Sequence, residues 1–442
     1  MTAAPVADPT RPIDVEALQR RSVAVLSLSS VAGRASMSAA FTVAALALTD
    51  MWDTVAWAGL STVAITIGTA ASSAWLSKLM DKAGRRFGFL AGFAVAAAGT
   101  IGAAAALVAG SIPAFLAGLA AVGIGQAATN LCRYGATDLA APGTASRAIS
   151  IVVFASAFGA AAGPLIVGPT SGIGADRGWS EYVGPFLGGA VFYGVAALIV
   201  ALLLRPDPLL TARSLALTTG PSTAPSPTAA TASTTGPPPQ RALAALVATS
   251  PGALGLGGLV ISQAVMVMVM SMTPLHMDAH GHGGGVIGQV ISLHTVGMFA
   301  FAPLAGWAAD RFGCERMIAV GAAVLAAATA ITALAGEAPA ILMFPGLFLL
   351  GLGWSFAMVA SSSLINSSVS EQHRVGAQGA ADVATSITSG AAALAAGHVF
   401  AMEGFHVLSM IGILTSGALL TWAFTLVAQS RAGLRSGDPS SR

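Results

Sequence analysis

The chain has 442 residues, of which 55% are hydrophobic and only 9% are charged, whereas a soluble domain carries about 25% charged residues. Its net charge of +2 does not favour nucleic-acid binding, and its two cysteines form neither a CxxC metal motif nor a disulfide framework. The composition predicts an all-α membrane protein whose surroundings are the lipid bilayer.

Apolar stretches of about 20 residues, long enough to span a bilayer, follow a polar segment at residues 1–23 that lacks the features of a secretion signal. A Pro/Ser/Thr/Ala tract, Thr218–Gln240, divides them into two groups of six and cannot build a core. The pattern predicts twelve transmembrane helices, at residues 24–48, 54–76, 87–108, 112–135, 148–170, 183–204, 250–275, 285–308, 317–336, 340–364, 377–400 and 405–428. The predicted domains are an N-terminal tail 1–23, a first half 24–205, a linker 206–249, a second half 250–428 and a C-terminal tail 429–442.

The basic residues predict the orientation, because cytoplasmic loops retain Lys and Arg. With the N-terminus inside, 18 of the 20 Lys and Arg residues fall on the cytoplasmic side. Arg177 then lies outside, and Arg34 lies within the first span. Both termini and the linker are therefore expected in the cytoplasm.

The two halves repeat each other between their second and third spans. Ser77–Gly92 aligns with Gly306–Gly321, so that Asp81 and Gly84 stand over Asp310 and Gly313, each pair 229 positions apart. This segment resembles the G-x-L-x-D-r-x-G-r-r signature of the major facilitator superfamily, with Ser77 in place of the first Gly. The resemblance implies an alternating-access transporter of two six-helix halves, in which the charged motif residues act as gating switches: Asp81, Arg85, Asp310 and Arg311.

Methionine and histidine are concentrated around the seventh and eighth spans. Five of the fifteen Met and three of the seven His lie within Gln263–His282. Met266 and Met270 share one helix face, as do His294 and Met298, because residues four apart are neighbours on a helix. Met266 and His294 fall at similar depth, about 15 Å below the outer end at about 1.5 Å per residue, with Met270 shallower and Met298 deeper. Thioether and imidazole donors suit Cu(I) better than hard cations.

This MxxxM and HxxxM pair, offset by 28 residues, is similar to that of the CcoA-type copper importers. The resemblance implies that a bacterial inner-membrane transporter imports copper, expected as Cu(I), through Met266, Met270, His294 and Met298. Copper would be the transported substrate of a monomer that has no permanently bound cofactor and no nucleic-acid partner.

Several alternatives stay open. The Met residues could be packing residues, and His294 could carry protons instead of metal. A Gly-Pro stretch, Gly159–Pro169, resembles one common in the family's antiporters and favours the main alternative, a proton-coupled efflux antiporter for small organic molecules. A membrane sensor that binds copper without moving it is a further alternative.

Other polar residues allow two interpretations each. An outer-loop group, His276, His280 and His282, could capture metal at the entrance or could be a flexible polar loop. Arg34 could bind an anionic substrate or could form an interior ion pair with Asp382, and we prefer the ion pair. The sequence contains no nucleophile–base constellation, P-loop or paired-carboxylate motif, so we do not expect an enzyme.

Overall fold

A computed structural model describes residues 14–141, 144–218, 244, 246–335, 340–369 and 371–436. Helices dominate this part of the chain, and no strand occurs in it. The first half contains six long helices: α1 Val15–Trp52, α2 Leu60–Ala83, α3 Arg85–Ala109, α4 Ile112–Gly135, α5 Ala145–Ala162 and α6 Val183–Leu203. A 3₁₀ turn, Gly163–Ile166, and a short turn, Val167–Thr170, extend α5.

The second half repeats this plan. Its helices are α7 Ser250–Ala279, α8 Gly284–Phe299 with its continuation Ala302–Phe312, α9 Cys314–Leu334, α10 Met343–Ser368, and α11 and α12 at residues 371–403 and 405–436. Gly404, at φ 78°, separates α11 from α12 within the stretch Glu371–Ser436. The described residues thus confirm the predicted fold, an all-α membrane protein with twelve helices in two six-helix halves.

Ten segments of the described chain are long and apolar enough to cross a membrane. One of them, Val383–Gln429, covers most of both α11 and α12. The second helix is absent from that set, because α2 carries Ser and Thr along its length and three charged residues, Lys78, Asp81 and Lys82, near its end. A criterion of length and hydropathy alone would therefore not identify α2 as a membrane span.

Local sequence fixes several helix ends. The Asp14 carboxylate caps α1 by accepting a hydrogen bond from the Ala17 amide at 2.9 Å, which satisfies an otherwise unpaired helix N–H. Gly84 and Gly313, the two aligned repeat glycines, turn the chain into α3 and α9 with nearly equal backbone angles of φ 90° and 93°. Side chains other than glycine rarely adopt this region. The sequence repeat is therefore also a backbone repeat.

Equivalent helices pack together in the two halves. In the first half α3 packs on α4, and in the second half α9 packs on α10. Gly92 and Gly321, a further aligned pair, lie against Ala128 and Ala357 at these two contacts. A side chain at either glycine would hold the helices apart, so small residues set the spacing of each pair.

The halves meet at the end of the bundle opposite the chain termini, here called the distal end. There α2 approaches α11, where Gly59 lies against the backbone of Ala393. A second contact joins α5 to α8, where the Ser292 hydroxyl donates to the Ala161 carbonyl at 2.6 Å, and Gly288 lies against the Pro164 carbonyl. Pro164 lies in the 3₁₀ turn that extends α5. The Gly-Pro stretch, which contains Ala161 and Pro164, therefore packs closely against the second half.

The start of the predicted linker is helical. Pro208–Thr218 forms a linker helix, and its Ala212 packs with Leu18 and Leu139 of the first half. The Asp207 carboxylate caps this helix by accepting from the Leu209 amide at 3.0 Å. Residues 219–243, which hold most of the Pro-rich tract, lie outside the described part of the chain.

We predict that a bulky side chain at Gly288 prevents the distal end from closing. In Gly288→Leu the new Cβ would overlap the Pro164 carbonyl, so α8 and α5 could no longer approach. A cysteine introduced as Thr42→Cys, at a fully buried position that lines a small cavity between the halves, should then react with a maleimide in detergent.

Gly283→Leu is the matched control, since a Cβ at Gly283 meets open space. Thr42→Cys should stay unreactive in that background, with Cys314 replaced by Ser in every protein. Equal labelling of the Gly288→Leu and Gly283→Leu proteins would contradict the proposed closure.

Candidate functional site

His294 lies inside the second half, on α8, with 1% of its surface exposed. Its Nδ1 is 2.8 Å from the Leu347 carbonyl of α10, and a carbonyl can only accept, so Nδ1 carries the proton. In the neutral ring Nε2 then carries the lone pair. That Nε2 is buried and has no hydrogen-bond partner among the described residues.

Glycines bring α8 close enough to α10 for this contact. Gly351 of α10 lies against the His294 carbonyl, and Gly297 of α8 lies against the Phe348 carbonyl. A Cβ at either glycine would push the helices apart and withdraw the imidazole from Leu347. The backbone contact therefore sets both the position of His294 and its tautomer.

The three proposed Met ligands join one packed cluster in the second half. Met266 and Met270 are buried in it together with Leu347, and Met298 packs against it partly buried. α8 packs chiefly on α10, whereas α7 packs both on α10 and on the stretch Glu371–Ser436, and α7 and α8 have little contact with each other. The hairpin predicted from the sequence therefore needs a third helix, α10, to join its two ligand pairs.

Two further Met residues of α7, Met268 and Met272, are not proposed ligands, and they differ in burial. Met272 is fully buried, and Met268 is partly buried. Met272 therefore packs inside the protein and not against lipid. Truncation of Met272 to Ala would open a cavity in the core, so a test of the sulfur atoms requires a substitution that keeps the volume.

A polar group that the sequence did not reveal lies one turn from Met266. The Gln263 amide donates to the Ser389 hydroxyl of α11 at 2.9 Å and accepts from the Trp354 indole of α10 at 2.8 Å. The Trp354 ring also contacts Phe299 of α8, with ring centroids 6.2 Å apart. Gln263 shares a helix face with Met266, so these contacts orient the Met face of α7.

The three outer histidines are not arranged as predicted. His276 lies within α7 and not in a loop, because α7 continues to Ala279. Its buried ring stacks on Phe405 at 4.3 Å, and its carbonyl is 2.7 Å from Nδ1 of His280. His282 lies beyond the helix end. Across the described residues, no group of three or more His, Cys, Asp or Glu side chains is placed to hold a metal ion. Metal capture by these histidines stays a prediction.

The first copy of the gating motif contains a buried ion pair. Arg85 makes two hydrogen bonds to Asp138, with Nε at 2.8 Å and Nη2 at 3.0 Å, and both side chains are 6% exposed. Burial raises the pKa of the Asp138 carboxyl, and the Arg85 guanidinium opposes that rise. Asp81 pairs instead with Arg213 of the linker helix, at 3.5 Å.

The second copy of the motif is exposed. Asp310 and Arg311 both lie at the surface of α8, and the Arg311 guanidinium lies 5.9 Å from the centroid of the Phe312 ring. The ion pairs of the described residues do not include either side chain. The sequence repeat therefore does not extend to the side-chain contacts, and the gating role of the four motif residues stays a prediction.

Arg34 bonds within the first half. Its Nη2 donates to the Asn130 side-chain oxygen of α4 at 3.0 Å. The Asp382 side chain, which we expected as its ion-pair partner, lies outside the described part of the structure.

A family model described as the Major Facilitator Superfamily matches residues 26–283 and 254–440. The chain belongs to this superfamily. Its family and fold are those of membrane transporters, which are not enzymes. The charged repeat, the two six-helix halves and the distal contact between them are therefore parts of a superfamily transporter.

Two relatives are similar to this chain over about nine-tenths of its length. It is 33% identical over 408 residues to the uncharacterized MFS-type transporter YdeG of Bacillus subtilis, covering 92% of this chain and 91% of that protein. It is also 28% identical over 392 residues to the riboflavin transporter RfnT of Brucella anthropi, covering 89% and 92%.

Solved transporters share the fold at low identity. A bacterial homologue of the human lysosomal transporter Spinster, in an inward-facing and unoccupied conformation, superposes with a TM-score of 0.67 at 14% identity, covering 92% of this chain and 96% of that one. The nucleoside transporter NupG gives 0.69 at 13%, covering 92% and 99%. These likenesses support the superfamily fold.

We predict that Asp138 contributes far more to stability than Asp81. Asp138→Asn leaves the buried Arg85 without its counter-charge, which should cost about 3 to 5 kcal/mol. Asp81→Asn removes a pair whose side chains are 44% and 45% exposed, which should cost less than about 1 kcal/mol. Thermal unfolding of the purified proteins in detergent measures the difference. Equal destabilisation would show that Arg85 does not depend on Asp138.

Proposed function

We propose that this transporter imports copper, as Cu(I), across the bacterial inner membrane by alternating access, with Met266, Met270, His294 and Met298 as its ligands. The observation that carries the proposal is the unpartnered Nε2 of His294. A buried nitrogen lone pair in a membrane helix is costly unless a proton or a metal ion uses it at some stage.

The donor set suits a soft monovalent cation. Imidazole and thioether are neutral ligands that favour Cu(I), whereas carboxylates favour harder cations. Between Met266 and Met298 the sequence contains one carboxylate, Asp278, near the end of α7. The Met side chains are flexible, so sulfur atoms in one cluster could follow an ion past a fixed imidazole. The Leu347 carbonyl would hold that imidazole in the ligand tautomer.

The expected orientation is compatible with import. With both termini in the cytoplasm, as the basic residues predict, the distal end faces outward and is closed in this structure. The Met face of α7 would then be reached from the cytoplasm, as the release step of import requires. Opening at the distal contact between α5 and α8 would expose the same residues to the outside.

A second candidate is the transport of a small organic molecule, including its proton-coupled efflux. The similarity to a riboflavin transporter over most of the chain favours it. The Gln263, Trp354 and Ser389 group offers amide, indole and hydroxyl contacts of the kind that a planar organic ligand uses. In this alternative His294 would carry a proton.

We predict that removing sulfur without changing volume separates the two candidates. Met266→Leu, Met270→Leu and Met298→Leu should each lower copper accumulation at least about tenfold, since loss even of outer contacts to a metal costs that much. Leucine is close to methionine in volume, so the cluster should stay packed. Met268→Leu and Met272→Leu are the matched controls and should accumulate copper normally, as measured by metal content of cells with equal amounts of transporter.

His294→Gln tests the imidazole itself. Copper binding in detergent should disappear together with uptake, because an amide does not readily replace imidazole as a ligand. Binding that survives while uptake is lost would make His294 a proton carrier. If all five Leu variants accumulate copper like the parent while flavin uptake into vesicles depends on Gln263, the copper proposal is wrong and the organic substrate replaces it.

A further inference from the structure

Two arginines of the first half have no carboxylate partner among the described residues. Arg34, in the middle of α1, donates one hydrogen bond, to the Asn130 side chain at 3.0 Å. Arg133, near the end of α4, donates from Nη2 to the Tyr134 hydroxyl at 3.1 Å and lies over the Tyr134 ring, and its Nε is buried with no hydrogen-bond partner among the described residues. Arg133 follows Asn130 by three residues on α4, one helical turn away, so the two positive charges lie near each other.

This arrangement is expensive without an anion. A guanidinium has five N–H donors, and the one hydrogen bond of Arg34 to a described residue is to a neutral amide, which does not neutralise its charge. An ionised side chain within a membrane helix is costly and faces the protein interior or a water-filled cavity. A second positive charge nearby raises that cost, so the pair favours a negatively charged ligand.

The polar groups share a wall. Gln126, Asn130 and Arg133 lie four and three residues apart on α4 and therefore on one face. The Gln126 side-chain oxygen is also buried, with no hydrogen-bond partner in the described part of the chain. Arg34 points from α1 toward the same face, because it bonds to Asn130. Two helices thus converge on one polar region.

This wall faces the space between the halves. Arg34 is seven and eleven residues before Phe41 and Ala45, and at 3.6 residues per turn these three positions fall on one face of α1. Phe41 and Ala45 pack with the cluster of the second half. Arg34 therefore lies on the same face of α1, between the distal contact and the end of the bundle that holds the chain termini.

We propose that Arg34 and Arg133, with Asn130, form a binding site for a small oxyanion, a carboxylate or a phosphate group, on the first-half wall of the transport cavity. The planar guanidinium fork matches both groups by paired, charge-assisted hydrogen bonds. The Asn130 amide nitrogen can donate a further bond, since its oxygen already accepts from Arg34. The site does not depend on the copper proposal, because it uses the opposite half and the opposite charge.

Inorganic phosphate and acetate are the probes, applied to the purified full chain in detergent without copper. Both should raise the thermal unfolding midpoint in a saturable way, beyond sodium chloride at equal ionic strength. Arg34→Gln and Arg133→Gln should each raise the concentration needed at least about tenfold, as expected for a lost charged hydrogen bond. Arg34→Lys keeps the charge but loses the fork, so it should weaken phosphate protection while preserving the fold.

Arg316→Gln is the control, because Arg316 is exposed in the second half and its removal should leave phosphate protection unchanged. Delipidated protein titrated with phosphatidylglycerol separates a lipid headgroup from a soluble anion as the source. Protection by either source that requires both arginines supports the site. No protection of the parent by any of these oxyanions, or equal protection of the Arg34→Gln and Arg133→Gln proteins, overturns it.

A strict ion pair between Arg34 and Asp382 predicts a different result. Asp382→Asn would then destabilise the protein as much as Arg34→Gln does, and the double variant would restore stability. That pattern, with no phosphate protection of the parent, would also overturn the oxyanion site.

Discussion

A bilayer provides no water for a polar group, so every amide, hydroxyl and charge in a span needs a partner within the protein. This constraint accounts for most polar contacts of the structure. Hydroxyls bond back to carbonyls one turn earlier in their own helix, as Thr42 does to Ser38 and Thr329 does to Leu325. Several buried atoms, serine hydroxyls among them, have no hydrogen-bond partner in the described chain. Those of His294 and Arg133 are the informative ones, because they belong to ionisable side chains.

Close backbone contact is the second consequence of the bilayer. Helices in lipid gain little from burying apolar surface and associate through van der Waals packing and hydrogen bonds, which favours small residues at their interfaces. Contact between a glycine and a backbone carbonyl joins helices within a half, as between Gly351 and His294. The same kind of contact joins the two halves, as between Gly288 and Pro164. The contact within a half fixes the proposed ligand, whereas the contact between halves must separate in each transport cycle.

Periodicity and repeats in the sequence predicted the helices well, because span length and charge position are local properties. The predicted span 183–204 matches Val183–Leu203, and the aligned Gly84 and Gly313 share one backbone conformation. The linker helix was missed, since its apolar face is short and lies beside a Pro-rich tract. His276 was predicted to lie in a loop, but it lies within α7, because that helix continues to Ala279.

Side-chain partners were harder to predict, because they depend on contacts between residues far apart in sequence. The motif placed Arg85 beside Asp81, yet its partner is Asp138, 53 residues away. The Gln263, Trp354 and Ser389 group is assembled from three helices, and only Gln263 lies near the Met residues in sequence. The pattern of Met and His identified candidate ligands, while the carbonyl that orients His294 required the fold.

The two halves present opposite chemistry to the space between them. The second half carries neutral soft donors, and the first half carries two guanidinium groups without counter-charges in the described chain. A bare monovalent cation on the second half would be repelled by those arginines whenever the halves approach, since charges in a low-dielectric interior interact strongly. An oxyanion on the first half would cancel that repulsion. A cation path on the second half is therefore electrostatically favourable only when an anion is bound to the arginines. If the substrate were an organic acid, the same arginines would bind its carboxylate directly.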